Sequence, residues 1–180
     1  MSARRFAVAR TTKVVVSLLI AAMWFYAFVL APRESFNNVA DADWSARSET
    51  RCAEVRDAIT ALAEVRRIDV NDPAELRRKA DIIDKATDAL ENAVNAISAD
   101  PPSTEKGRAL APMWIADYRT YIGDRRAYAE SLRSGRISEF SETQVEGVPI
   151  SERLAKFARE NRMRSCQPPR DLQEIGRAHV

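Results

Sequence analysis

Glycine is scarce in this sequence, five residues in 180, and histidine occurs once. So few glycines leave no room for a phosphate-cradling loop. Neither G-x-G-x-x-G nor G-x-x-x-x-G-K-[ST] is present, which excludes the usual nucleotide-binding fingerprints. Cysteine occurs twice, without C-x-x-C spacing, so the common zinc and redox motifs are missing too. There is no G-x-S-x-G, no S-x-x-K with partner motifs, and no histidine placed to activate a serine. The expectation is a protein without catalytic residues, cofactor or metal.

Charge of one sign is also lacking, with 28 Lys and Arg against 26 Asp and Glu. The small excess is unevenly placed. Residues 1–31 carry Arg4, Arg5, Arg10 and Lys13 and no acid, so the rest of the chain holds 24 basic against 26 acidic groups. Beyond the arm, basic residues alternate with acidic ones instead of forming a stripe, which argues against nucleic acid as a partner.

The one long apolar run is Val14 to Ala31, free of charge and bracketed by Lys13 and Arg33. At 1.5 Å per residue it covers about 27 Å, enough to cross a bilayer. A cleaved signal peptide has a shorter core and a small-x-small site. Val29-Leu30-Ala31 imitates that site, but Pro32 would follow the cut, so an uncleaved anchor is expected. Four basic residues before the run place the N-terminus in the cytoplasm and the bulk of the chain outside. The expected organisation is a basic cytoplasmic arm at 1–13, a transmembrane helix at 14–31, a linker at 32–42 and a helical extracytoplasmic domain at 43–173.

The tail is expected to be foreign. Ile175-Gly176-Arg177-Ala178-His179-Val180 reads as the translation of a common sequencing adapter, so 174–180 is set aside as adapter-derived and the native chain is expected to continue past about Gln173. The lone histidine, His179, goes with it.

Between these ends the periodicity is helical, with no sustained alternation to mark strands. A first helix is expected over 43–67, with Cys52, Val55, Ile59 and Leu62 on one face, followed by Val65 or Arg66. Asp72 as N-cap, Pro73 at the first position and Glu75 completing a capping box predict the start of a second helix. In it Leu76, Ala80, Ile83, Thr87, Leu90, Val94 and Ile97 step 4-3-4-3-4-3, a heptad seam. Asp100-Pro101-Pro102 ends it. Ser103 or Thr104 caps a third helix running to about Ser134, with Leu110, Trp114, Tyr121, Tyr128 and Leu132 as its buried stripe and Pro112 placed to bend it. A loose stretch over 136–147 precedes a fourth helix that Ser151 is expected to cap and that carries Leu154, Phe157 and Ala158. Helices joined by proline-bearing turns predict an all-α fold: the transmembrane helix, then an antiparallel four-helix bundle.

Both cysteines lie on the expected outer side, where disulfides persist, so Cys52–Cys166 pairing is the leading expectation. An up-down-up-down bundle brings the end of its fourth helix back to the level of Cys52 on the first: Cys52 lies about 22 Å back from Arg67, and the fourth helix descends about 20 Å to reach Cys166.

Two clusters offer chemistry. Asp81, Asp84, Asp88 and Glu91 share one helical face, either a cation site or a salt-bridged surface neutralised by Arg77, Arg78, Lys79 and Lys85, with Asp81 to Lys85 a favourable pair. Trp114, Asp117, Tyr118, Tyr121, Asp124, Arg125 and Tyr128 make the densest aromatic and polar group. They either hold a ligand between helices or are large core side chains with their polar tips hydrogen-bonded.

The stretch Trp114 to Tyr128, followed by an apolar helix ending Asn161-Arg162-Met163 and then Cys166, resembles membrane-anchored helical-bundle proteins of actinobacterial genomes. That resemblance spans about 45–173 and implies a cell-envelope location without implying an activity. The functional expectation is a membrane-anchored binding or scaffolding module without catalysis. Its partners would be the lipid bilayer, through 14–31, and another envelope protein. The alternative is a small-ligand sensor or carrier with its site near Trp114.

Overall fold

The computed structural model describes residues 2–30, 35–62, 69 and 71–172. The chain divides into two compact units, Met1–Ser35 and Phe36–Val180.

In the first unit α1 (Ser2–Phe25) continues into a π-helical turn, Tyr26–Leu30. Side chains are described from Val14 to Phe28, and all of them are exposed, Leu18 by 64% and Leu19 by 65%. Trp24 and Phe28, one turn apart, stack with ring centroids 5.1 Å apart. Among the described residues no helix is long and apolar enough to cross a membrane.

The second unit holds α2 (Ala42–Leu62), α3 (Pro73–Ser98), α4 (Glu105–Arg133), a hairpin of β1 (Gln144–Val145) and β2 (Val148–Pro149), and α5 (Ile150–Glu160). A 3₁₀ turn, Arg164–Cys166, follows. The expected extension of the first long helix over 63–67, with Val65 and Arg66, lies outside the described residues, as do residues 31–34 and the adapter-like tail.

Helix α3 forms where the pattern predicts it. Asp72 accepts from the Ala74 amide at 2.8 Å, and all seven seam residues from Leu76 to Ile97 are buried. The capping box is only half formed, because Glu75 accepts from the Asp69 amide at 3.0 Å instead of from Asp72. Pro101 and Pro102 follow the end of α3, and Thr104, not Ser103, caps α4 by accepting from the Gly107 amide at 3.0 Å. Ser103 is held instead by Asp41, which receives its N–H and its hydroxyl, each at 2.7 Å, while capping α2 through the Trp44 amide. Those donors lower the Asp41 carboxyl pKa. Glycine is required at 107, since a Cβ there would lie 2.6 Å from Pro102 Cβ.

Pro112 sits on an exposed face and α4 runs through it unbroken. The helix stops at Gly135, whose φ of +76° closes a Schellman motif: Gly135 N–H donates to Leu132 O and Arg136 N–H to Ser131 O. Helix α5 ends the same way, except that Arg162 takes the left-handed position at φ +60°. Its start differs from expectation. Ser151 lies inside α5, and its N–H and hydroxyl both donate to Glu142, at 2.7 and 2.8 Å, so a carboxylate nine residues upstream satisfies the helix entrance. The loose stretch expected over 136–147 ends in a small hairpin that runs on to Pro149, turned by Glu146 and Gly147 at positive φ, where the pattern marks no strand.

The helices pack as antiparallel neighbours. Across α3 and α4, Thr87 meets Arg125, Asp88 meets Arg126 and Asp84 meets Arg133, so one helix ascends as the other descends. Across α4 and α5, Asp117 meets Arg153 and Trp114 stacks on Phe157, again running oppositely. Core residues fall into two groups, one around Trp44, Trp114 and Tyr118, the other around Ile83, Tyr128 and Leu132, with Phe140 packed against both.

Cys52 and Cys166 form the expected disulfide, with Cα atoms 5.0 Å apart. The same face of α2 grips the 3₁₀ turn on either side of the bridge. Glu49 accepts from the Ser165 amide at 2.8 Å, and Arg56 donates to Arg164 O at 2.8 Å. The described part of the expected linker belongs to the packed unit: Val39 is fully buried, and its N–H donates to Asn161 Oδ1 at 2.8 Å while its carbonyl accepts from Thr104.

Candidate functional site

The stripe of α4 extends the pattern read from its sequence. Trp114, Tyr118, Tyr121, Arg125, Tyr128 and Leu132 step 4-3-4-3-4 and are all buried. Trp114 is the hub. It stacks on Phe157 at 5.1 Å and meets Tyr118 and Trp44 edge-on at 4.9 and 6.4 Å. Each such pair contributes about 0.5–1.5 kcal/mol beyond the area it buries.

The polar tips of the stripe turn toward the segment after the disulfide. Tyr118 donates its hydroxyl to Cys166 O at 2.5 Å, and Tyr121 donates to Pro169 O at 3.3 Å. Arg125, with no exposed surface, reaches Asp171 through two parallel bonds of 2.8 and 2.7 Å and donates its Nε to Thr87 Oγ1 at 3.0 Å. Thr87 can accept because its own proton goes to Ile83 O. Three residues one helical face apart on α4 therefore strap residues 166–171 across the bundle.

Burial sets the electrostatics of this face. It raises the Tyr118 hydroxyl pKa beyond the ordinary phenol range and pushes Tyr121 up to about 12. Tyr128 is raised by burial as well. For Arg125 burial opposes the charge, but the Asp171 carboxylate outweighs it and the guanidinium pKa rises.

The other members of the aromatic and polar group also meet chain partners. Asp117 pairs with Arg153 at 3.1 Å, Asp124 accepts both the N–H and hydroxyl of Thr143, and Tyr128 packs edge-on against Phe140 at 5.6 Å. Trp114 Nε1 is buried with no hydrogen-bond partner among the described residues.

Two grooves flank the strap. One, of about 690 Å³, lies over α4 and α5 and is lined by Trp114, Asp117, Tyr121 and Phe157 together with strap residues 167–170. The other, of about 570 Å³, lies over α2 and α3 and takes in Ile59, Leu90, Val94 and the disulfide. Both are of the size that takes small ligands. Sequence reading located the α4 wall of the first groove and missed its other walls, Phe140, Phe157, Lys156, Arg159 and Arg170. Only the three-residue step from Lys156 to Arg159 on α5 hinted at a cationic edge.

The carboxylate row receives ion pairs from across the helix pair. Arg133 bridges Asp81 and Asp84, and Arg126 reaches Asp88 and Glu91 at 2.8 and 2.6 Å. These carboxylates raise both guanidinium pKa values. Among the described residues no group of three or more His, Cys, Asp or Glu side chains is arranged to hold a metal ion.

Compared with protein-family models, curated proteins and solved structures, the chain matches none.

Proposed function

We propose that the chain is a single-pass membrane protein whose cytoplasmic arm, residues 1–13, precedes a span at 14–31, and whose disulfide-closed helical domain serves in the cell envelope as a binding or scaffolding module without catalytic activity. The observation that carries this reading is the apolar helix itself. From Val14 to Phe28 every side chain is exposed, with no polar face for water, and the uncharged sequence continues to Ala31. A helix apolar on all sides needs either a protein core or lipid around it. The buried Cys52–Cys166 bond adds support, since such bonds persist on the oxidising side of a membrane. Alkaline phosphatase fused after Leu172 is expected to be active, and the protein to stay with membranes through a carbonate wash. An inactive fusion together with release by carbonate would overturn the proposal.

A second reading, a small-ligand sensor or carrier, is favoured by the groove of about 690 Å³ beside Trp114 and Asp117. Its test is a titration in which the Trp114 indole resonance moves with added ligand.

A further inference from the structure

From the charges around the α4–α5 groove we infer that it takes a small amphipathic anion, an apolar chain or ring ending in a carboxylate or a comparable acid. This rests on the small-ligand reading above.

The groove offers such a ligand both of its halves. Trp114, Tyr121 and Phe157 supply an aromatic wall, and Met113 and Val148 expose apolar surface at its margin, 61% and 40% respectively. An apolar body entering here removes that surface from water.

Its charges are divided in a way that favours an acid. Lys156 and Arg159 stand one turn apart on α5, and Arg170 lines the same groove from the strap; none of the three has an ion-pair partner among the described residues. The groove's acids are largely engaged. Asp117 is paired with Arg153, and Glu142 is occupied by the N–H and hydroxyl of Ser151. That leaves Glu152 against three cations among the described charged residues of the lining. A carboxylate between Lys156 and Arg159 gains charge-assisted hydrogen bonds, which a neutral ligand of the same shape cannot make. The second groove lacks this arrangement: its cations are Arg56, bound to Arg164 O, and Arg170, and it contains Asp171, which is bound to Arg125.

The test uses the full chain in zwitterionic lipid nanodiscs, with ¹⁵N-labelled tryptophan indoles. The probes are 4-phenylbutyrate and its uncharged counterpart 4-phenylbutanamide. The acid is expected to move the Trp114 resonance saturably and to bind at least about tenfold more tightly than the amide. The exposed double change Lys156→Gln with Arg159→Gln is expected to erase that preference without altering the unfolding temperature, and Arg56→Gln in the other groove to leave it intact. Equal binding of acid and amide overturns the anion inference and leaves the small-ligand reading standing. No shift with either probe overturns both. A preference erased by Arg56→Gln and kept by the α5 double variant overturns the placement.

Discussion

Asp171→Asn is the most informative single change, because it removes charge from one side of a pair whose other member cannot leave. Arg125 has no exposed surface, whereas the Asp171 side chain keeps 19% of its own. Asparagine fills the same space but turns one acceptor into an amide donor facing the guanidinium, which disrupts the two-pronged contact at 2.8 and 2.7 Å. Breaking a buried pair from one side costs about 3–5 kcal/mol, and the partial exposure of Asp171, which lets water reach the stranded charge, brings this to about 2–4 kcal/mol. For a folded unit of this size 1 kcal/mol moves the midpoint by about 3–4 °C, so thermal unfolding followed by circular dichroism should show a drop of about 6–16 °C. The companion variant fixes the cause. Arg125→Met combined with Asp171→Leu removes both charges, and replacing a buried pair by apolar groups is often neutral, so the double variant should be more stable than the single one. The reasoning fails if Asp171→Asn stays within about 0.5 kcal/mol of the parent, or if the double variant is the less stable of the two.

Four further outcomes are expected. Cys52→Ser with Cys166→Ser opens a loop of 114 residues and should cost about 4–5 kcal/mol by chain entropy, read from urea unfolding with and without reductant. Asp100, hydrogen-bonded by Arg47 and Arg51, has its carboxyl lowered to about 2. A lowered pKa gives stability that is present above the ordinary carboxylate value and lost as pH falls through about 2, so Asp100→Asn should flatten the acid limb of a melting-temperature profile between pH 4 and 2. Burial raises Tyr118, Tyr121 and Tyr128, so their stabilising neutrality is lost as pH climbs past 10; absorbance at 295 nm should show them ionising late, Tyr121 near 12, or together with alkaline unfolding. Arg162→Gly relieves a left-handed backbone at the end of α5 and should raise stability by about 0.5–1 kcal/mol in the same urea assay.

What the sequence revealed follows from the range of the interactions concerned. The α3 seam, its Asp72 cap and the Gly135 stop are local, set by residues within one or two turns, and each stands where the pattern places it. The disulfide was legible because two cysteines allow one intramolecular pairing and the helix lengths put them at one height. Residues that satisfy each other across a fold leave no such trace. Arg125 and Asp171 lie 46 positions apart, Val39 and Asn161 122, and nothing periodic connects either pair. Ser151 illustrates the local version of the problem: a serine beside a helix start reads as a cap, yet Glu142 captures it from the preceding loop. The carboxylate row reads from sequence as a cation site or a salt-bridged face, and nothing within its own helix points to Arg126 and Arg133 on the next.

The long separation within the disulfide also orders the assembly of the domain. The α3–α4 hairpin depends on contacts between chain neighbours and closes first, since short loops lose less entropy on closing. Cys52 is synthesised 114 residues before Cys166, so its thiol must wait, unpaired, until nearly all of the described chain has been made. During that interval Cys52 is open to an intermolecular bridge, and the Arg164–Cys166 turn, held between Glu49 and Arg56, brings its native partner to it.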